Sequence, residues 1–248
     1  MSLKTELRTE GDFLFKHRSY LPLVIIVLGL GAYIYNVYYE ELIDPNYAEY
    51  YKWGCLAVSL IGLFIRMHAI GHAAPNTSGR NTAEGQIADH INSSGWYATC
   101  RHPLYLGNFF MWLGLAGLTQ DFWFVMAFIF MYWVYYERIM YAEEAFLIDK
   151  YGKAYTDWSA KTPAFWPKFS QWRKPDYPFS WAKIIRQEKA GILNLFLVFF
   201  IFEAIGSYIS SQEWLNMSPL WYSLLIGAIV WYVIIKVLQK TTNLFEGR

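Results

Sequence analysis

The sequence is poor in charge and in cysteine. Aspartate, glutamate, lysine and arginine make up only 17% of 248 residues and leave a net charge of +1, with no long basic run. Nothing in that balance points to a nucleic-acid partner. Cysteine occurs only twice, at Cys55 and Cys100. The topology derived below places the two near opposite faces of a bilayer, so no disulfide is expected. No internal repeat or low-complexity tract stands out, which removes support for a duplicated transporter architecture. The basic start and first apolar run look like a signal sequence, yet Tyr35 to Glu41 offers no small-residue cleavage site, so this run is expected to stay as an anchor.

What the chain has instead is apolar and aromatic surface, 55% hydrophobic and 20% aromatic, too much for an ordinary soluble domain. A membrane-spanning helix needs about 20 mainly apolar residues. Five windows meet this: Tyr20 to Tyr38, Tyr51 to Ile70, Phe122 to Tyr141, Ala190 to Ile209 and Leu220 to Leu238. The shorter Leu104 to Leu118 is counted as a sixth, turning back through Thr119, Gln120 and Asp121. The predicted fold is an all-α, polytopic transmembrane bundle of about six spans with interfacial helices. Lys4, Arg8, Lys16 and Arg18 precede the first span, whereas Glu40, Glu41, Asp44 and Glu49 follow it against one Lys52. By the positive-inside rule the N-terminus is cytoplasmic. Arg80, Arg101 and the nine basic residues from Lys150 to Lys189 place the second and fourth connections on the same side, as Lys236, Lys240 and Arg248 do for the C-terminus.

Several polar features stand out against this background. Phe13, Leu14 and Phe15 suit a short interfacial turn, and a turn is expected at Asn76 to Asn81. Ser180 to Lys189 reads as an interfacial helix with Trp181, Ile184 and Ile185 apolar and Lys183, Arg186 and Lys189 basic. His68 and His72 share a helix face, but without a third ligand of the usual kind they are read as interfacial histidines and no metal site is assigned. Glu203 lies inside an apolar run, where an acid is costly, and is assigned to helix packing or to a homo-oligomer contact.

The stretch Gly95 to Asn108, GWYATCRHPLYLGN, packs an arginine, a histidine, two tyrosines, a proline and two glycines into the edge of an apolar segment. Pro103 suits the first position of a helix, with His102 at the cap. The helix N-terminus favours anions, Arg101 adds a charge, and Tyr97 and Tyr105 add aromatic faces with hydroxyls. On the next span Tyr136, Met140, Glu143 and Leu147 form one stripe, so Glu143 interrupts an apolar face. A frayed helix end with solvated glutamates remains the plain alternative. The hairpin brings Arg101, His102, Tyr97 and Tyr105 toward Arg138, Glu143 and Glu144. A pocket with a basic and an acidic half suits a zwitterionic cofactor with a carboxylate, an ammonium, a ribose diol and an aromatic base, as in S-adenosylmethionine, whose sulfonium also favours aromatic faces.

GWYATCRHPLYLG, followed some thirty residues on by EEAFLIDKYGKAYTDW and a tail at Pro163 to Pro167, resembles the isoprenylcysteine carboxyl methyltransferase family and its phospholipid-methyltransferase relatives over about Gln86 to Pro167. The resemblance implies a multi-pass membrane enzyme that uses S-adenosylmethionine to methylate a lipophilic or amphipathic acceptor, a carboxylate or an amine, at the cytoplasmic face. Carried over by motif, Tyr97, His102, Pro103, Tyr105, Leu106, Gly107, Glu143 and Glu144 bind the cofactor, and Arg101 and Glu143 are the catalytic candidates. The chain then divides into anchor spans and a loop (1–85), a catalytic core (86–170), and an interfacial helix with two further spans (171–248) on which the resemblance is silent. Membrane sterol reductases share the RHP block, but a nicotinamide cofactor with a 2′-phosphate would need more basic groups than this region holds. A non-catalytic membrane binding protein on the same core is the third reading.

Overall fold

The computed structural model describes residues 2–39, 45–75, 77, 89–214 and 216–245. The turn expected at Asn76 to Asn81, apart from Thr77, and the charges Glu40, Glu41, Asp44, Arg80 and Arg248 lie outside the described residues. Regular structure among them is helical, apart from one isolated antiparallel bridge between Gly95 and Arg173. Among the described residues nine α-helices follow one another: α1 Leu3–His17, α2 Leu21–Tyr39, α3 Pro45–His72, α4 Trp96–Thr99, α5 Pro103–Gly117, α6 Phe122–Tyr151, α7 Lys153–Ser159, α8 Trp181–Ser211 and α9 Pro219–Thr241.

Local chemistry sets the ends. Ser2 accepts from the Thr5 amide to start α1, and Lys16 and His17 sit in its last turn, where the helix dipole favours cations. Phe13 to Phe15 are therefore part of a full 15-residue helix rather than a short turn. Asp121 accepts from the Phe124 amide at 2.9 Å and starts α6. That helix runs unbroken for 30 residues to Tyr151, ten beyond the predicted span, so both glutamates lie well inside it. It stops at Gly152, whose φ of 54° few side chains tolerate.

Among the described residues three helices are long and apolar enough to cross a membrane by length and composition, within Tyr47–His72, Trp181–Ser211 and Pro219–Thr241, and Leu23–Tyr39 is a shorter apolar helix. α5 has 15 residues, as its short apolar run foretold. α3 packs along α5, α1 lies on α6, and α8 contacts α2, α3 and α9. The α3–α5 approach depends on paired glycines: a Cβ on Gly62 would strike the Gly107 carbonyl, and one on Gly107 would strike Arg66.

The helix expected to lie in the interface from Ser180 to Lys189 is instead the first part of the 31-residue α8. Lys183 and Glu188 are each only 2% exposed. The reason is internal pairing: Lys183 Nζ donates to the Ala73 and Ala74 carbonyls at 2.9 and 2.8 Å, satisfying the end of α3, and Glu188 is paired with Arg66. Glu203 is buried and accepts from Lys52 on α3 at 2.9 Å, a helix-packing contact within the chain. Both cysteines are free and buried.

Two apolar clusters result. One gathers Phe15 of α1, Tyr105, Leu106 and Phe109 of α5, Tyr132, Tyr136 and Met140 of α6, and Phe165. The other joins Tyr33, Leu56, Leu195, Phe199 and Trp221 of α2, α3, α8 and α9.

Candidate functional site

The two motif blocks are zipped together by backbone. The amides of Arg101 and His102 donate to the carbonyls of Pro163 and Ala164 at 2.9 and 3.1 Å, and the Lys168 amide donates to Thr99 at 2.9 Å. The proline-containing tail thus runs beside the start of α5, where Pro103 is the first helical residue and His102 the cap position. The His102 side chain makes no capping bond. It turns instead toward α6.

There it meets Glu144. His102 Nε2–H donates to Glu144 Oε1 at 2.9 Å, and Arg101 Nε donates to the same oxygen at 2.8 Å. Arg101 Nη1 donates to the Ser159 and Thr162 carbonyls at 2.7 and 2.9 Å, which ties α7 to the site. Nη2 has no hydrogen-bond partner among the described residues. The Tyr105 hydroxyl donates to Glu143 Oε1 at 2.6 Å. Glu143 Oε2 lies 3.6 Å from His102 Nδ1, an ionic contact longer than a hydrogen bond. The rings of His102 and Tyr105 are stacked at 5.6 Å.

The electrostatics follow from this geometry. Burial opposes a charge on His102, but the carboxylates of Glu143 and Glu144 outweigh it and hold the imidazole above its ordinary value. Burial likewise opposes ionised Glu144, yet His102 and Arg101 hold its carboxyl below the usual range. Burial and the charge of Glu143 raise the Tyr97 hydroxyl on α4, and burial pushes the Cys100 thiol up to about 12, leaving it inert. The solvated-end alternative for the two glutamates fails, since each accepts a hydrogen bond from the RHPLY block.

Of the other motif residues, Leu106 is 1% exposed within the first apolar cluster, Pro103 is buried, and Gly107 faces α3. Arg138 is not at the site. Its Nε donates to Glu10 of α1 at 2.6 Å, and both residues line an apolar groove of about 800 Å³ between α1 and α6. His68 and His72, with ring centroids 4.8 Å apart, pack against Phe179, and His68 also against Trp96 and Trp172.

Two features escaped the sequence reading. Tyr155 of α7 is 1% exposed and its hydroxyl has no hydrogen-bond partner among the described residues, while Glu144, Arg101 and Glu143 all act on it electrostatically. A buried unpaired hydroxyl is costly. It lies in the quoted YGKAYTDW block, one residue before Thr156, and was the available signal. The second is a polar chain on α3, α5 and α8: Arg66, Asn108 and Glu188. No local pattern marks it.

Comparison with known proteins yields a match of the phospholipid methyltransferase family model over residues 51–154. The chain is 30% identical to a protein-S-isoprenylcysteine O-methyltransferase of Schizosaccharomyces pombe over 116 residues, 46% of this chain and 48% of that one. It is 30% identical to a protein of the same description from Saccharomyces cerevisiae over 112 residues, 44% and 45% of the two chains. It is also 26% identical to the nickel-cobalt-cadmium resistance protein NccN of Alcaligenes xylosoxydans xylosoxydans over 165 residues, 65% of this chain and 70% of that one. No solved structure matches the chain.

Proposed function

We propose that the chain is an integral-membrane methyltransferase of the kind that the phospholipid and isoprenylcysteine methyltransferases represent, which the family match over residues 51–154 supports, and that it methylates a lipophilic or amphipathic acceptor from S-adenosylmethionine. The observation that carries this is the meeting of the two blocks: Arg101 and His102 on Glu144, and Tyr105 on Glu143, at the inner ends of α5 and α6.

The donor set fits a zwitterionic cofactor. Tyr155 holds a buried hydroxyl that lacks a partner among the described residues, and Glu143 keeps Oε2 beyond hydrogen-bond distance of His102. Tyr97, His102, Tyr105, Glu143, Glu144 and Tyr155 would hold the cofactor, with Pro103, Leu106 and Gly107 shaping the wall behind it. Bound there, S-adenosylmethionine supplies an electrophilic methyl group on a sulfonium. Glu143 would accept from its ammonium or ribose hydroxyls, while the Tyr97 and Tyr105 rings favour positive charge. Arg101, fixed by Glu144 and two carbonyls, presents Nη2 to an anionic acceptor such as a lipid-linked carboxylate. An amine acceptor would use the same alignment without that contact. Positioning and exclusion of water supply the rate, as methyl transfer requires no metal.

In the membrane, α2, α3, α5, α6 as far as Tyr141, α8 and α9 are the proposed spans, with both termini and the site, Glu143 and Glu144 included, cytoplasmic. The basic residues before α2, after α6 and toward the end of α9 support this orientation. Residues 86–170 form the proposed catalytic core.

Calorimetric titration of detergent-purified protein with S-adenosylmethionine, S-adenosylhomocysteine and reduced nicotinamide dinucleotides tests the cofactor, and labelled-methyl transfer into a membrane lipid extract then identifies the acceptor. Saturable binding of the adenosyl compounds is expected. Binding of the nicotinamide alone would replace this reading with a reductase, and binding of neither would leave a core without its chemistry.

A further inference from the structure

Glu188, from the helix that lies beyond the family match, carries a full charge into the interior. Its Oε1 accepts from Arg66 Nη2 at 2.6 Å and its Oε2 from Arg66 Nε at 3.2 Å, a bidentate pair with the glutamate 2% exposed. Arg66 Nη1 then donates to Asn108 Oδ1 at 2.6 Å. Because the guanidinium has only donors, it fixes the amide with Oδ1 toward itself. Asn108 Nδ2 is thereby turned toward Tyr136, donating to its hydroxyl at 3.3 Å. The Tyr136 ring stacks on Tyr132 at 4.2 Å and packs against Tyr105 at 4.8 Å, and the Tyr132 hydroxyl donates to the Tyr105 carbonyl at 2.7 Å. Tyr105 is the residue that holds Glu143.

A buried ion pair contributes little net stability, and a hydrophobic pair of the same volume often does as well. What this pair does supply is geometry, since the bidentate contact fixes the orientation of the guanidinium. Tyr105 is contacted by Tyr132 and Tyr136 on one side and reaches Glu143 on the other, so any rotation of the Tyr136 ring passes to the site. We propose that Glu188 and Arg66 are positioning residues which, through Asn108 and Tyr136, set Tyr105 against Glu143, so that α8 is a working part of the site rather than an added span. This rests on the methyltransferase reading for its catalytic meaning, but the positioning itself is testable without cofactor.

The test uses the full chain in detergent with labelled histidine, following the His102 imidazole by NMR through a pH titration. The variants are Arg66→Met with Glu188→Leu, which removes both charges and keeps the volume; Tyr136→Phe, which leaves the ion pair intact; and all three changes together. Each is expected to lower the His102 titration midpoint, because Glu143 is no longer held beside Nδ1. The combined variant should shift it no further than the pair change does, as members of one chain are not additive. S-Adenosylhomocysteine should bind about 5- to 10-fold more weakly in each, the scale of one lost buried hydrogen bond. A folded pair variant with the His102 midpoint of the parent overturns the proposal, whatever binds. Additive shifts overturn the relay. Shifted, non-additive midpoints in a protein that binds no adenosyl compound would uphold the positioning and sink the methyltransferase reading.

Discussion

Glu144→Gln isolates the charge at the centre of the site. Glu144 Oε1 takes hydrogen bonds from Arg101 Nε and His102 Nε2, and each charge-assisted bond of this kind contributes about 1.5–3 kcal/mol. Arg101 keeps its bonds to the Ser159 and Thr162 carbonyls, and the amide oxygen still accepts from one donor. The net cost is therefore about one charged bond, about 2 kcal/mol near neutral pH. The pH dependence follows from the two shifts. His102 is held above its ordinary value, so its stabilisation is complete below about 6.5 and is lost as pH rises through the raised folded value. Glu144 is held below its ordinary value, so its share is present above the usual carboxylate range and is lost as pH falls through the lowered value. In Glu144→Gln the acid limb from Glu144 vanishes, and the alkaline loss moves to lower pH because burial then weighs more heavily on His102. Thermal unfolding in detergent from about pH 2 to about pH 9, set beside histidine NMR, measures both limbs. Parent and variant with the same slopes and the same His102 titration would refute the assignment of Glu144 as the imidazole's counter-charge.

Tyr155→Phe removes a hydroxyl that no group among the described residues satisfies, so the cofactor-free protein should unfold at the same temperature or slightly higher while S-adenosylmethionine binds more weakly by calorimetry. Equal binding would take Tyr155 out of the cofactor site. Gly107→Val drives a side chain into Arg66 and Gly62 and should cost about 1–3 kcal/mol or more by overpacking, read as a lowered unfolding temperature; unchanged stability would mean that α3 and α5 are not packed as described. Lys183→Met strips two donors from the end of α3, with an expected loss of about 1–3 kcal/mol and faster amide exchange near Ala73. Arg138→Ala breaks an exposed contact to Glu10, worth under about 1 kcal/mol, and should leave cofactor binding unchanged.

How far the sequence could be read depended on how local each signal was. Pro103 starts α5 because its ring already has helical φ and its missing amide would be unpaired in any case, and both facts are visible in one tripeptide. Glu143 and Glu144 reach His102 and Tyr105 because only four residues, Leu118 to Asp121, separate α5 from α6, so a short hairpin fixes which ends meet. The same periodicity could have excluded Arg138: it is five and six positions from the glutamates, about 140° and 120° around the helix, and it faces α1. Lys183 was misread for a different reason. An amphipathic stretch looks alike whether its ammonium meets water or, as here, the spare carbonyls of another helix. The hydrophobic face of α8 was legible, but the destination of its polar face was not.

Arg66 and Glu188 mark the limit. They are 122 positions apart, and no spacing rule relates them. Arg66 lies near the end of an apolar span and Glu188 is one acid among basic neighbours, and neither local pattern says where the side chain goes. Only the close crossing of α3 over α5 at Gly62 and Gly107, with α8 laid against α3, leaves the guanidinium enclosed and makes a carboxylate from a third helix the partner that offsets its burial. A charge that a membrane helix carries near its end is therefore ambiguous until its neighbours are known. At Arg66 the enclosing helix comes from the part of the chain that lies beyond the family match, 51–154, so sequence relatedness over the core cannot by itself reveal what holds the core's tyrosines in place.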